Sequence, residues 1–454
     1  MDRQKQLGKE NIKRLLWRFS IPAIVGMMVN ALYNIVDRAY IGHIKGVGSL
    51  AITGVGLTLP IMTMIMAFSM LVGIGAAALI SIRLGQKRKD EAEKILGNAF
   101  TLLCIIMVSI GIIGVIFIDP ILKSFGASDA TFGFAKQYIV IILLGCITNG
   151  LGFGLNNSIR AEGNPKMAMI TMLLGAILNL ILDPIFIFVF NMGIRGGAIA
   201  TIISQTANTI WVISYFVGKK SSLKIKKENL KIKKDIVLSI FSIGMAPFFM
   251  QLAASAVNII TNNALKSTGG DLAIGAMTII TSVSLVFLMP IFGINQGSQP
   301  IIGYNFGAQQ YKRVKDTLKI AIIAATCIVV VGFSLVQIFP EAIIKIFNKD
   351  PKLIDIGVKG IKTFLLMLPI IGFQVVASNY FQAVGKAKIA TFLSLLRQVI
   401  ILIPLLLILP NKLGLEGVWM CGPISDAISS VVTAVLIFRE MKNLKRSHEM
   451  KVAI

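Results

Sequence analysis

The sequence has little of what a soluble enzyme uses. Of its 454 residues only two are histidine, four are cysteine and 15% are charged. It contains no CxxC pair, no phosphate-binding loop, no GxSxG motif and no cluster of metal-binding histidines. We therefore expect no disulfide framework, no enzymatic activity and no cofactor. Buried aspartates nevertheless leave an intramembrane enzyme as an alternative class.

Apolar residues are abundant instead. They make up 55% of the chain, and the mean hydropathy is +0.80, which is more apolar surface than a soluble core of this length hides. A net charge of +24 suggests nucleic acid, but the lysines and arginines fall in short clusters between apolar stretches. This pattern indicates basic loops beside a lipid bilayer, with no nucleic-acid partner.

The apolar stretches form twelve windows, six followed by six more. Each is near the length of about 20 residues that crosses a bilayer. The predicted fold class is therefore an all-α membrane protein with twelve transmembrane helices. The windows lie near 15–41, 50–80, 95–118, 136–158, 167–190 and 196–217, and near 237–263, 273–301, 317–338, 360–382, 389–409 and 415–438.

Basic residues in the loops predict the orientation. The N-terminal tail, the loop around Arg88, the segment between the two sets of windows, the loop around Arg313 and the C-terminal tail all fall on one side. The loop from Phe339 to Lys359 carries four lysines and weakens the contrast locally. We expect a multi-pass protein of the plasma (inner) membrane with both termini in the cytoplasm.

The two halves resemble each other at an offset of about 222 residues. IRAEGNPKMA from Ile159 aligns with FQAVGKAKIA from Phe381. Six helices per half predict two lobes related by an axis along the membrane normal, with a cleft between them. The expected domains are an N-terminal lobe with a cation site (1–218), a solvated, cytoplasmic basic linker (219–235), and a C-terminal lobe with a basic tail (236–454).

An acidic residue lies deep in the fifth window. Asp183 follows Asn179 by one helical turn on the same face. Pro184 predicts a kink that frees the carbonyl of Leu180, and these oxygens are ligands suited to Na⁺. Intramembrane acids are costly and usually functional, although a structural acid with satisfied hydrogen bonds is the alternative for Asp183.

Depth places two further residues in the same outer half of the membrane. These are Asp37 and Thr201. Two carboxyl groups close together would share a cation or take up a proton, so either ion fits. The alternatives are an ion pair of Asp37 with Arg38, and a hydrogen bond from Thr201 to its own helix. Helix 1 also offers cavity residues before Asp37, namely Asn30, Tyr33 and Asn34, and a bend at Pro22.

The second half lacks this acidic pattern. Ile401, Leu405 and Gly422 stand opposite Asn179, Asp183 and Thr201. Arg397 and Asp426 are its membrane-depth charges and are interpreted as a structural ion pair. Its neutral polar residues are expected to form interhelical hydrogen bonds, some facing the cleft as a substrate cavity: Gln251, Asn258, Asn295, Gln296, Gln299, Asn379 and Gln382.

Motifs in a fixed order complete the pattern. LYNIVDRAYIGH ends the first helix, RAEGNPK joins helices 4 and 5, and LNLILDP lies in helix 5. With the layout of two by six helices, the chain resembles the multidrug and toxic compound extrusion (MATE) family over essentially its full length. The resemblance implies a V-shaped antiporter of two lobes around a central cleft.

The resemblance also implies a site. In the DNA-damage-inducible-type branch of the family the cation site lies in the N-terminal lobe, and its residues match Asp37, Asn179, Asp183 and Thr201 here. The branch known for norfloxacin export uses acids in helices 7 and 10. Those helices carry neutral Gln251 and Asn379 in this chain, so a second acidic site is not expected.

The expected function is secondary active multidrug efflux. By alternating access the protein would export organic cations or amphiphilic drugs in exchange for Na⁺ or H⁺, as a monomer. A lipid-linked precursor flippase is the alternative, but it would need several basic residues for phosphate, and only Arg397 is seen. The sequence does not choose the coupling ion or the substrate.

Overall fold

The protein is a bundle of helices connected by short segments. The computed structural model describes residues 3–44, 46–347 and 350–452, and every regular element in these ranges is a helix. The helices up to residue 217 are α1 (Arg3–Lys9), α2 (Ile12–Gly42), α3 (Gly48–Gly85), α4 (Lys89–Ile116), α5 (Ile118–Ser124), α6 (Asp129–Leu144), α7 (Cys146–Ala161), α8 (Pro165–Pro184) with a π-helical turn (Ile185–Val189), and α9 (Gly193–Val217).

The remaining helices follow a short connecting segment. It contains one 3₁₀ turn (Lys227–Leu230). The later helices are α10 (Lys234–Gly307), α11 (Tyr311–Ile338), α12 (Pro340–Phe347), α13 (Pro351–Phe364), α14 (Leu368–Ala383), α15 (Ala387–Leu395) with a π-helical turn (Leu396–Leu402), and α16 (Ile403–Val452).

All twelve predicted windows lie in these helices, which confirms the predicted fold class. In the described chain, seven helices are long and apolar enough to cross a membrane, and two bent pairs pass the same test. The bent pairs, α6–α7 at 55° and α13–α14 at 48°, match the fourth and tenth windows. Helices α10 and α16 each contain a glycine with positive φ, Gly270 at 64° and Gly414 at 58°. Such backbone suits glycine, and both breaks fall between predicted windows.

The chain forms two compact units, and helix packing repeats within each of them. In the first unit α7 packs against α4 and α9, and α8 packs against α9. In the second unit α14 packs against α11 and α16, and the π-helical turn at 396–402 packs against α16. These are the same pairs at the offset of the sequence repeat.

The units divide the chain differently from the expected domains. One unit includes Val25–Phe248, and the other includes Leu7–Ile24 and Phe249–Ile454, so α2 and α10 each contribute to both. Close glycine contacts explain the difference. A Cβ on Gly297 would lie 2.7 Å from the backbone nitrogen of Ser20, and a Cβ on Gly75 would clash with the carbonyl of Ile240. The first part of α2 therefore packs with the second unit, which contains Gly297. The first part of α10 packs with the first unit, which contains Gly75.

The basic segment between α9 and α10 is not the solvated linker that the sequence predicts. Ser221, Leu223 and Asn229 are buried against the first unit. Its backbone is bound by polar side chains of α4, including Asn98. A polar sequence without an apolar run can still be ordered when buried side chains supply its hydrogen bonds.

Candidate cation site

Helices α8 and α9 bring three of the predicted site residues together. Asn179 Nδ2 donates hydrogen bonds to Asp183 Oδ1 at 3.1 Å and to Thr201 Oγ1 at 3.4 Å. All three side chains are buried. The one-turn spacing of Asn179 and Asp183 places them on one face, as predicted, and α9 adds the hydroxyl.

Asp37 reaches this cluster from α2. It is 8% exposed and Asp183 is 1% exposed, and their carboxyl groups interact through their side chains. Both residues lie in the first unit. Two buried carboxyl groups in contact repel each other when ionised, so this arrangement requires a shared proton or a bound cation.

Several oxygen atoms of the cluster accept no hydrogen bond. They are Asp37 Oδ1, Asn179 Oδ1 and Asp183 Oδ2, all buried. A buried acceptor without a donor is unfavourable by about 1–3 kcal/mol, more for a charged group. Carboxylate and amide oxygens are the ligands of hard cations, so this set fits Na⁺, and a proton on a carboxyl group would also satisfy it.

The structure also bears on the alternatives for these residues. Arg38 is exposed whereas Asp37 is buried, and no ion pair joins the two in the described chain. Asn179 supplies only one of the hydrogen bonds that Asp183 could accept, which leaves Oδ2 unpaired. Thr201 contacts Asn179, so its hydroxyl belongs to the cluster.

Proline interrupts α8 directly after the acid. The regular helix ends at Pro184, and a π-helical turn runs from Ile185 to Val189. Proline lacks an N–H and its ring clashes with the preceding turn, which explains the break predicted at this residue. π-Helical turns occur often at functional sites.

Two tyrosines lie within electrostatic range of the carboxyl groups. Tyr33 interacts electrostatically with both Asp37 and Asp183, and so does Tyr138 of α6, which is 2% exposed. Sequence reasoning missed Tyr138, because a tyrosine in a membrane helix is common and nothing in its spacing pointed to α2. Of the other predicted cavity residues in this unit, Asn30 is exposed, and the side chain of Asn34 lies outside the described part.

The predicted cavity residues of the second unit differ in burial and in hydrogen bonding. Asn379 Nδ2 donates to the backbone oxygen of Asn295 at 3.5 Å. Asn295 Oδ1 and Gln296 Oε1 are buried without a partner, whereas Gln251 is half-buried and Asn258 is exposed. All five side chains are neutral amides.

The two membrane-depth charges of the second unit pair with each other. Arg397 Nε lies 2.5 Å from Asp426 Oδ1, and the Asp426 side chain is 4% exposed. Ser425 Oγ donates to the backbone oxygen of Arg397 at 2.7 Å. The carboxylate is neutralised within its own unit, as the interpretation of a structural ion pair required.

The fold and the site together define a class of protein. It is a multi-pass helical membrane protein with a buried pair of carboxyl groups. Comparison with known proteins gives the family. The family model MatE matches residues 22–185 and again 246–408. The chain belongs to the MatE family, and the double match confirms the internal repeat.

Relatives agree over nearly the full length. The multidrug export protein MepA of Staphylococcus haemolyticus (strain JCSC1435) is 28% identical over 430 residues, covering 95% of this chain and 94% of the relative. The solved structure of the MATE multidrug transporter DinF-BH is 40% identical, with a TM-score of 0.88 and coverage of 95% and 96%. An outward-facing MATE transporter of the MOP superfamily, 24% identical with a TM-score of 0.90 over 97% of this chain, shares the fold.

Proposed function

We propose that this protein is a secondary active multidrug exporter that exchanges organic cations or amphiphilic drugs for Na⁺ or H⁺. The observation that carries the proposal is the contact between the buried carboxyl groups of Asp37 and Asp183. Relatives named as a multidrug export protein and a multidrug transporter, neither of them an enzyme, support the export activity.

The coupling cation binds in the first unit. Asp37, Asn179, Asp183 and Thr201 carry the carboxyl, amide and hydroxyl oxygens that would bind it, and Asn179 joins Asp183 and Thr201 by hydrogen bonds. Removing two carboxylates from water is unfavourable unless positive charge compensates them, so the site is stable only when it holds a cation. Na⁺ and H⁺ both meet this requirement, and an imposed gradient of either ion can drive transport.

Cation binding joins separate helices. Asp37 lies on α2 and Asp183 on α8, so the bound ion links two helices that repel when it leaves. A ligand shifts a conformational equilibrium only if it binds the two states differently. Pro22 and Pro184 each remove a backbone hydrogen bond from these helices, so the helices would bend at these residues during the conformational change.

Neutral polar residues are proposed to contact the substrate. Amides and an aromatic ring bind varied amphiphiles without imposing one geometry. The protein is proposed to work as a monomer in the plasma membrane with both termini in the cytoplasm. The proposed contacts are Asn30, Tyr33, Asn34, Gln251, Asn258, Asn295, Gln296 and Asn379.

Ethidium efflux from proteoliposomes tests the function. A Na⁺ gradient is imposed first and a pH gradient second, without nucleotide, on the wild type, Asp37→Asn and Asp183→Asn. Asp119→Asn is the matched control, because Asp119 is a half-exposed acid paired with Lys136 outside the site. We expect efflux under at least one gradient, lost in both site variants and kept in the control. Full efflux in both site variants would overturn the cation site, and no efflux of the wild type under either gradient would overturn ion-driven export.

A further inference from the structure

The segment of residues 219–234, here called the basic strap, is bound to the first unit by buried side chains. Glu162, which is 1% exposed, follows α7. Its Oε2 accepts hydrogen bonds from Ser221 Oγ at 2.6 Å, from Ser222 Oγ at 3.1 Å and from the backbone nitrogen of Leu223 at 3.3 Å. One buried carboxylate therefore fixes the start of the strap.

Helix α4 fixes the middle of the strap with Glu93. This side chain is 2% exposed. Its Oε1 accepts from the backbone nitrogen of Lys224 at 3.2 Å, and its Oε2 forms an ion pair with Lys226 Nζ at 2.6 Å. The hydrogen bond that Lys226 donates to Glu93 raises the pKa of Lys226 above its usual value.

Asn98 and Thr101 of α4 fix the end of the strap. Asn98 Oδ1 accepts from the backbone nitrogen of Lys233 at 2.7 Å, and its Nδ2 donates to the backbone oxygens of Asn229 and Lys231, each at 3.3 Å. Thr101 Oγ1 donates to the backbone oxygen of Leu230 at 2.9 Å. These partners are about 130 positions apart in the chain, so the strap has a defined path rather than a free one.

Although the backbone of the strap is hydrogen-bonded to the first unit, most of its basic side chains are exposed to solvent. The strap has eight lysines, and the acids in or beside it are exposed Glu228 and Asp235. Lys224 and Lys226 bond to Gly218 and Glu93. The other six lysines are exposed: Lys219, Lys220, Lys227, Lys231, Lys233 and Lys234. The hydrogen-bonded backbone fixes the positions from which these side chains project, which lowers the entropy lost when they bind an anion.

An apolar side chain stands among these lysines. Ile232 is 46% exposed between Lys231 and Lys233. The strap joins the end of α9 to the start of α10, so the chain itself holds it where membrane helices meet water. Isoleucine beside lysine suits the boundary between acyl chains and headgroups, whereas a purely water-facing loop gains nothing from it.

We propose that the basic strap is a docking surface for anionic phospholipids. The lysine ammonium groups bind the headgroup phosphodiester, and Ile232 inserts between the acyl chains. Each lysine near an anionic membrane surface adds to the attraction for anionic lipids. A basic loop that only set the orientation of the protein would need charge but no fixed backbone. Binding to buried Glu93, Asn98 and Glu162 provides that fixed backbone.

The test uses the full-length protein in detergent, titrated with short-chain phosphatidylglycerol, short-chain phosphatidylcholine and inorganic phosphate, with bound lipid counted by native mass spectrometry. The strap variant is Lys227→Gln, Lys231→Gln and Lys233→Gln together. The control variant is Lys312→Gln, Lys319→Gln and Lys442→Gln, which removes the same charge from exposed lysines of the second unit. All substitutions are on the surface and leave the hydrogen bonds of the strap intact.

We expect the strap variant to lose phosphatidylglycerol affinity by roughly tenfold or more, and the control variant to change by less than about threefold. Equal losses in both variants would show that only net charge matters and would overturn the proposal. Equal binding of phosphatidylcholine to the wild type, or competition by millimolar inorganic phosphate, would also overturn it. Asn98→Ala, which keeps every lysine, is expected to weaken the preference for phosphatidylglycerol, and an unchanged preference would overturn the role of the fixed backbone.

Discussion

The two units share helix packing but differ in their buried charges. In the first unit two acids, Asp37 and Asp183, lie together without a basic partner. In the second unit Asp426 is paired with Arg397. At the repeat offset Asp183 corresponds to Leu405. The proposed site of the first unit would therefore take its positive charge from solution, whereas Asp426 in the second unit is paired with an arginine.

The two units therefore share a helical scaffold but not the charged residues that a function would use. Helix pairs, the bent fourth helix and the glycine contacts recur in both units. Charges are few, and substitution at one helical position changes the chemistry without changing the packing. Symmetric folds can therefore hold an asymmetric function.

The largest expected effect is at the carboxyl pair. Asp183→Asn should abolish coupled efflux, because a neutral amide takes up no proton and lacks the negative charge that holds a cation in a buried site. Asp37→Asn should do the same. Ethidium efflux in proteoliposomes measures both. Leu405→Asn at the matched position of the second unit should leave coupled efflux in place. An equal loss of efflux in that variant would contradict the difference between the two units.

The ion pair of the second unit is expected to affect stability more than coupling. Asp426→Leu leaves Arg397 without its partner and should destabilise the protein by roughly 2–4 kcal/mol, reduced from a fully buried pair because Arg397 is about one third exposed. The double variant Arg397→Met with Asp426→Leu should recover much of the loss. Thermal unfolding in detergent measures this, and coupling ratios should not change in the folded fraction.

Asn179 should have an intermediate effect. Asn179→Ala removes one oxygen and the hydrogen bonds to Asp183 and Thr201. We expect the concentration of coupling ion at half-maximal efflux to rise by roughly tenfold, equal to about 1.4 kcal/mol. Ion titration of the efflux rate measures it. The same substitution at Ile401 should not move this concentration.

The smallest effect is expected at the basic strap. Glu93 raises the pKa of Lys226, so this contact stabilises the strap fully below the ordinary lysine pKa and is lost only as pH rises through the raised value. Glu93→Gln should return the pKa of Lys226 toward its ordinary value. NMR titration of isotopically methylated lysines measures it, with Lys226→Arg identifying the signal.

Much of the fold followed from the sequence because its main driving force is local. About 20 apolar residues specify a membrane helix wherever they occur, and Pro184 specifies the break in α8. The spacing of Asn179 and Asp183 placed them on one face. These features need no knowledge of distant neighbours.

Other features depend on contacts between distant residues. The first part of α2 packs with Gly297, far along the chain, and a hydropathy pattern carries no signal of that contact. Glu93 and Asn98 look like surface residues at the start of a helix, yet they bind the strap. Tyr138 was missed for the same reason, because its neighbour Asp37 lies on another helix.

The central claim is that Asp37 and Asp183 together bind the coupling cation. Equilibrium binding of radioactive Na⁺ and proton uptake on acidification, measured on purified wild type and on the two asparagine variants, test it directly. The account predicts Na⁺ binding, proton uptake at the carboxyl pair, or both in the wild type, and loss of that signal in each variant. Unchanged stoichiometry of both ions in Asp37→Asn and Asp183→Asn would contradict it.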